Sequence, residues 1–346
     1  MNNTNGQTLL DALVLPSILV ARDERIVAVN EPGRALLGEA IIGRHHMTAL
    51  RQPELLEAIQ SCADTAKTCN ARYLVRAEGG RDAIYLANCA WLDLSDLQGV
   101  LVSFEDRSHL EHADQMRRDF VANVSHELRT PLTSLLGFIE TLRGPARDDA
   151  SVRMRFLDIM QSEAARMERL VSDLLSLSRV ESEQRVRPTE DVDLAALSRS
   201  VLHSLAPVAK EGGVQFVADV PDGEVILPGD EDQLRQVLSN LLENAVKYGG
   251  AGGNVTLSLR TVDYDPSLRA PAVLLEVADE GAGMDPIHIP RLTERFYRVD
   301  SHRSREVGGT GLGLAIVKHI VTRHRGRLRI DSALGEGSRF SVLLPL

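Results

Sequence analysis

Cysteine is scarce in this chain: Cys62, Cys69 and Cys89 are an odd number with no C-x-x-C spacing. That excludes a disulfide scaffold or a thiolate zinc site and fits a reducing compartment. Long apolar runs are missing as well. The stretch from Leu9 to Val20 is broken by Asp11 and Pro16 and falls short of the roughly 18 residues a transmembrane helix needs, so no transmembrane segment is expected. Met1-Asn2-Asn3-Thr4-Asn5 lacks the basic start of a signal peptide, and a cytoplasmic location is expected. Basic excess is absent too. With 49 acidic against 39 basic residues and a net charge of −10, the composition argues against a nucleic-acid or anionic-membrane binder. Neither a G-x-x-x-x-G-K-[ST] phosphate loop nor an H-R-D catalytic loop is present. What remains is an ordinary globular composition, 43% hydrophobic and 25% charged over 346 residues, enough for two or three domains with cores of their own.

Three segments follow. In 9–104, Ile18-Leu19-Val20 and Ile26-Val27-Ala28-Val29 read as short strands around a turn at Asp23-Glu24, and Asn30-Glu31-Pro32-Gly33 opens a short helix. Runs beginning at Ala71, Ala83 and Gly99 read as three more strands, with Gly79-Gly80 as a hairpin turn. This predicts a compact α+β domain. In 105–185, Phe120, Val124, Leu128, Leu135, Phe138 and Leu142 form one helical stripe, ended by Gly144-Pro145. Val152, Phe156, Ile159, Met167, Leu170, Leu174 and Leu177 form a second. Two such helices make an antiparallel hairpin that cannot bury both stripes alone, which predicts a homodimeric four-helix bundle. In 191–346, runs at Val255, Val273, Arg327 and Phe340 alternate like strands with one covered face, interspersed with helical patterns, which predicts an α/β sandwich.

His126 stands two residues from both Val124 and Leu128, about 200° from each on a helix, and so points away from the buried stripe. Thr130 shares its face. Glu127 is an adjacent carboxylate, and Pro131 removes a helical hydrogen bond and favours a kink. An exposed histidine with a neighbouring carboxylate can act as a nucleophile, although a lone surface histidine is usually just solvated. Downstream, Asp230 with Gln233 reads as a capping box opening a helix with a buried stripe of Leu234, Val237, Leu238, Leu241 and Ala245. Asn240, Asn244 and Lys247 share an adjoining face within about 60°, and such a set suits Mg²⁺ and phosphate oxygens or is simply a polar face. Lysine is otherwise confined to Lys67, Lys210 and Lys318. Asp279-Glu280-Gly281-Ala282-Gly283 follows an apolar strand, where glycines allow close approach, though alone this pattern is usually a turn. Arg291 to Arg298 sets Phe296 and Tyr297 among arginines. Gly308-Gly309-Thr310-Gly311-Leu312-Gly313 leads into a helix whose free N–H groups can hold phosphate, and Gly335 to Phe340 adds a strand-flanking turn.

Ser125-His126-Glu127-Leu128-Arg129-Thr130-Pro131-Leu132-Thr133, followed by these four boxes in order, resembles the sensor histidine kinases, over about 240 residues. The stretches Arg118–Arg129 and Leu292–Asp300 look closest to the phosphate-regulon sensor kinase subfamily, and the first segment resembles a PAS domain. The resemblance implies a fold of PAS-like α+β domain, dimerising helical hairpin and α/β ATPase sandwich. It implies that His126 is phosphorylated from ATP, that Glu127 is the general base, and that Thr130 assists dephosphorylation of a partner. Asn244 is then the Mg²⁺ ligand with Asn240 in support, Lys247 meets phosphate, Tyr248 packs on adenine and Asp279 accepts from its amino group. Gly281, Gly283, Gly309, Thr310, Gly311, Leu312 and Gly313 line the nucleotide. The box from Arg291 is implied to be a lid, with Arg295 and Arg298 near the terminal phosphates. A response regulator is implied to dock around Ser134, Gly137 and Thr141, and phosphate-starvation signalling is the implied setting.

Two other readings compete. One is a phosphatase or scaffold for a partner kinase. The other is an ATP-driven clamp of the gyrase and Hsp90 class, which lacks the histidine hairpin and places a glutamate where Asn240 stands. Elsewhere, His109 and His112 read as a solvated helix face. Adjacent His45 and His46 would point apart on a helix, which speaks against a shared metal, and Cys89 reads as a core cysteine.

Overall fold

The computed structural model describes residues 3–76, 82–94, 97–144, 147, 149–183, 186–250, 252–299 and 309–346. The chain divides into two compact units, Met1–Ala122 and Asn123–Leu346.

The first unit contains α1 (Asn3–Asp11), β1 (Ser17–Ala21), β2 (Ile26–Val29), α2 (Glu31–Leu37), α3 (His46–Leu50), α4 (Pro53–Thr65), β3 (Cys69–Arg76), β4 (Asp82–Leu94) and β5 (Leu97–Asp106). The strands form one antiparallel sheet in the order β2-β1-β5-β4-β3. The expected strands are all present, while the predicted turn at Gly79-Gly80 lies outside the described residues. Ile18, Val29, Leu55, Ile59, Val102 and Phe104 lie in its core. Asn30 caps α2 and is wholly buried with its hydrogen bonds made. Its Oδ1 accepts from Ser17 N at 2.8 Å and Gly33 N at 2.9 Å, and Nδ2 donates to the carbonyls of Leu13 and Leu15. Such full pairing is what makes a buried amide tolerable. Cys89 belongs to the core, and burial pushes its thiol up to about 12. One expectation needs correcting. His45 is not on a helix but is the residue that caps α3, in extended backbone at φ −65°, ψ 133°. Its ring therefore stacks on that of His46, 5.0 Å apart and 19° from parallel, instead of pointing away.

Helix α5 (Ser108–Arg143) runs from the first unit into the second, where it is followed by α6 (Ala150–Glu183), β6 (Glu190–Asp193), α7 (Leu194–Glu211), β7 (Gln215–Asp219), β8 (Ile226–Gly229), α8 (Glu231–Tyr248), β9 (Asn254–Asp265), β10 (Ala270–Asp279), a 3₁₀ turn (Pro286–Arg291), α9 (Gly313–Arg323), β11 (Arg327–Ala333) and β12 (Gly337–Pro345). Both predicted stripes are on the shielded sides of α5 and α6, tied by Phe138 and Phe156 with ring centroids 5.1 Å apart. Pro131 is buried within α5, and the helix continues through it. A five-stranded sheet, β11-β12-β10-β9-β7, is antiparallel except for the β7–β9 pair. The pair β6–β8 is separate. Strands β6, β7 and β8 were not anticipated. They are only 4, 5 and 4 residues long, and Glu190-Asp191 and Pro228 break any alternation. Strand β12 also departs from the expected alternation, because all but one of its residues are buried.

The predicted buried stripe of α8 is present, with Leu234, Val237, Leu238, Leu241 and Ala245 each at most 1% exposed. Its capping box is half formed. Asp230 accepts from Gln233 N at 3.1 Å, but the Asp230 N–H donates to His324 Nε2 at 3.0 Å and not to Gln233. His324 Nδ1 in turn donates to the Ile320 carbonyl at 2.8 Å. Both ring nitrogens are committed in a neutral imidazole, and burial holds its pKa below the usual 6.5. The folded unit therefore binds fewer protons than the unfolded chain once pH drops below about 6.5. Stability should be flat above that value and fall below it, by up to about 1.4 kcal/mol per pH unit. Urea unfolding at about pH 7.5 and about pH 5.5 checks this sign, and stability that rises on acidification contradicts it.

Candidate functional site

His126 is exposed on α5, as expected from the stripe. Thr130 is exposed on the same face, and its hydroxyl donates to the His126 carbonyl at 3.2 Å. Glu127 turns across the hairpin and accepts from Arg166 of α6 at 2.9 Å. Arg166 also lies 3.8 Å from Glu163, and its side chain is 15% exposed. The carboxylate beside the histidine is thus held in place by a second helix. Sequence reasoning did not name Arg166, although an arginine next to Met167 on the apolar stripe is the signal that could have found it.

The nucleotide-type boxes converge around α8. Its Asn240, Asn244 and Lys247 are half-buried and Tyr248 is exposed. Asn240 Nδ2 donates to the Gly313 carbonyl at 3.3 Å, joining α8 to the start of α9. Asp279 ends β10, 7% exposed, and accepts from Gly281 N at 2.9 Å. Burial pushes its pKa up, against the opposing pull of the Gly281 and Ser338 N–H groups. The glycines here are sterically required. A Cβ on Gly281 would lie 2.1 Å from the Tyr248 carbonyl oxygen, and one on Gly283, at φ +61°, 1.9 Å from that of Ala333. The turn between β11 and β12 meets the same loop through the Gly335 N–H, which donates to the Ala282 carbonyl at 2.8 Å.

The glycine-rich segment is described from Gly309 onward, so Gly308 lies outside the described residues. Gly311 has φ +73°, and a Cβ there would strike the Phe296 backbone at 2.9 Å. Phe296, itself at φ +63°, donates its N–H to the Gly311 carbonyl at 2.9 Å. The Leu312 N–H bonds the Thr310 hydroxyl, and Gly313 begins α9. Of the residues predicted to form a lid, Arg295 pairs with Glu181 of α6, and Arg298 lies close enough to Lys247 to act on its charge. Tyr297 hydrogen-bonds His288 and lies under Arg291 at 4.2 Å. Asp173 of α6 was also missed. It accepts from the Thr310 hydroxyl at 2.7 Å, and burial raises its pKa despite that bond and the nearby Lys247 and Arg169. Burial likewise lowers the Lys247 pKa. An acid one residue before stripe residue Leu174 was the available clue.

The donor set fits a nucleotide with a hard divalent cation: carboxamide oxygens at Asn240 and Asn244, a cation at Lys247, a desolvated carboxylate at Asp279 and the free N–H groups of an α9 terminus. A separate cleft of about 630 Å³, lined by Ile289, Thr293, Lys318, Arg325 and Leu328 among others, contains none of these residues.

Residues 116–183 match the His Kinase A (phospho-acceptor) domain, and residues 229–346 match the histidine kinase-, DNA gyrase B- and HSP90-like ATPase domain. The phosphate regulon sensor protein PhoR of Pseudomonas aeruginosa is 42% identical over 241 residues, covering 70% of this chain and 53% of PhoR. Sensor histidine kinase WalK of Bacillus subtilis is 38% identical over 249 residues, 72% of this chain and 40% of that protein. A Staphylococcus aureus WalK is 31% identical over 355 aligned residues, 99% of this chain and 82% of the relative. The chain thus spans about half the length of the first two. The structure of histidine kinase ThkA in complex with response regulator protein TrrA shares the fold, with a TM-score of 0.51 and 21% identity over 98% of this chain and 97% of that one. No described helix is long and apolar enough to cross a membrane. From its two matched domains and its end-to-end likeness to a WalK, the chain belongs to the sensor histidine kinase family.

Proposed function

We propose that the chain is an ATP-dependent protein-histidine kinase that phosphorylates His126 and passes the phosphoryl group to an aspartate of a response regulator. One observation carries the reading. A single unit holds an exposed histidine on a helical hairpin and a nucleotide-type site whose Thr310 is tied to that hairpin through Asp173. A ring nitrogen of His126 attacks the γ-phosphorus as the bond to ADP breaks, and the ring proton passes to Glu127. Catalysis of this kind is mostly positioning and charge neutralisation. Asn244 is assigned to Mg²⁺ with Asn240 in support, and the ion when bound offsets the developing phosphate charge. Lys247 and Arg298 face the phosphates. Gly309 through Gly313 enclose them, and Tyr248, Asp279, Gly281 and Gly283 hold the adenine end. Arg295, engaged by Glu181, anchors the lid segment to α6.

The exposed apolar residues Val121, Leu132, Leu136 and Ile139 of α5 share one face within about 60°. Together with Leu157 and Leu175 of α6, they support a homodimeric four-helix bundle. Ser134 and Gly137 are exposed and Thr141 half-buried, and this part of α5 is assigned to docking of a receiver domain. The strand order of the first unit supports a PAS-like input domain, and the likeness to PhoR supports a phosphate-regulon setting. Thr130, on the His126 face, is assigned to dephosphorylation of the partner.

Incubation with γ-labelled ATP and Mg²⁺, followed by a receiver domain, tests the reading. Label should appear on the chain and then move to the receiver. ATP binding without any label points to a scaffold instead. Glu127→Gln is expected to slow labelling about 100-fold at unchanged KM for ATP. Arg166→Gln, which releases Glu127 and also removes the 3.8 Å pairing with Glu163, should give a smaller loss and a shifted pH profile. Equal rates in wild type and Glu127→Gln remove the base assignment.

A further inference from the structure

The first unit holds a cluster that the kinase reading does not use. Glu24 lies in the β1–β2 turn, at φ +63°, and His45 and His46 open α3. One nitrogen of each ring and a Glu24 carboxylate oxygen all lie within 4.8 Å of one another. His45 Nε2 is 2.7 Å from Glu24 Oε2. His46 is 3% exposed, and its Nδ1 donates to the Glu24 backbone carbonyl at 3.0 Å, a bond that leaves Nε2 as the ring's remaining ligand atom. The His46 backbone N–H donates to the same carbonyl at 2.9 Å. An imidazole fixed by a backbone carbonyl through one nitrogen is the arrangement that orients a histidine toward a metal through the other. The neighbouring cation is turned away, since Arg25 donates to the Gly43 carbonyl at 2.8 Å.

We propose that Glu24, His45 and His46 form a binding site for a borderline transition-metal cation, Zn²⁺ or its Co²⁺ surrogate, in the N-terminal unit. Two imidazoles and a carboxylate are a ligand set that Zn²⁺ accepts in tetrahedral geometry, with water in the fourth position. Ligand atoms around tetrahedral Zn²⁺ stand about 3.4 Å apart, so the cluster closes on the ion by small movements of the exposed Glu24 side chain and the His45 ring. Binding displaces the proton that His45 Nε2 now shares with Glu24. That proton moves to Nδ1, so that the ring binds as a neutral imidazole, at the expense of a long 3.4 Å contact from the Met47 N–H. Hard cations such as Ca²⁺ prefer six or more oxygen ligands and are excluded by this set. The site lies in the N-terminal unit, and its test reads metal binding alone, independently of how the kinase unit works.

Equilibrium dialysis of the full chain against Zn²⁺, without an affinity tag, tests the proposal, and Co²⁺ absorption gives a spectroscopic readout. Wild type should bind one ion per chain at this site. Glu24→Gln and His45→Gln alter residues outside the core and should each weaken that binding at least tenfold and abolish the tetrahedral Co²⁺ spectrum. His46→Gln should do the same if it stays folded by circular dichroism. No stoichiometric binding by the wild type overturns the site and leaves a histidine–carboxylate hydrogen bond only. Binding that survives both Glu24→Gln and His45→Gln also overturns it.

Discussion

His126→Gln should abolish labelling from γ-labelled ATP, by at least about a thousandfold, while ATP affinity and unfolding midpoint stay close to wild type. The expectation follows from where the side chain is. His126 is exposed on α5, so its replacement opens no cavity, and exposed substitutions usually change stability by less than about 0.5 kcal/mol. Chemistry, in contrast, has no substitute. A glutamine amide nitrogen carries no basic lone pair, so the nucleophile is lost and not merely weakened. The residues of α8 and α9 assigned to the nucleotide are untouched, which predicts unchanged binding of ATP. A His126→Gln protein with wild-type labelling would mean that another residue accepts the phosphoryl group. Lost ATP binding would mean that the substitution acts through the fold.

Gly283→Ala should cost several kcal/mol and at least tenfold in ATP affinity, whereas Gly335→Ala should cost only about 1 kcal/mol. Both glycines have positive φ, +61° and +82°, where an L side chain is strained by about 1–2 kcal/mol. They differ in space. A Cβ on Gly335 meets nothing within 4 Å, but one on Gly283 overlaps the Ala333 carbonyl oxygen at 1.9 Å and the Gly337 carbonyl oxygen at 3.0 Å. Neither neighbour is a flexible side-chain end, so the loop from Asp279 must move away from the β11–β12 turn. Asp279 then loses its alignment with Gly281. For a unit of this size each kcal/mol shifts Tm by about 2–4 °C, so thermal unfolding separates the two variants. Equal shifts would show that backbone strain alone sets the cost.

The elements legible in the sequence were those with strong periodicity or crowded glycine. The stripes of α5, α6 and α8 were visible because long helices repeat their apolar spacing many times. Short strands such as Glu190–Asp193 offer no such repeat, and their pairing with Ile226–Gly229 is set by long-range contacts. The glycine boxes could be seen, but not what they touch: the links from Thr310 to Asp173 and from Asn240 to the Gly313 carbonyl join residues 137 and 73 positions apart. His324 shows the same limit. Nothing near Asp230 in sequence predicts that a histidine 94 residues away takes its backbone N–H, the place a capping box gives to Gln233. Stacking of His45 on His46 was hidden for a local reason, since one residue of extended backbone before α3 reverses the expected divergence of the rings.

Phosphoryl from ATP bound near α8 is expected to end on His126. Peptide mapping of the wild-type chain after brief incubation with γ-labelled ATP and Mg²⁺ tests it most directly, with acid and alkali stability measured on the labelled peptide. One labelled peptide containing His126 is expected, its label acid-labile and alkali-stable. Acid-stable label, or label on any peptide without His126, would contradict it.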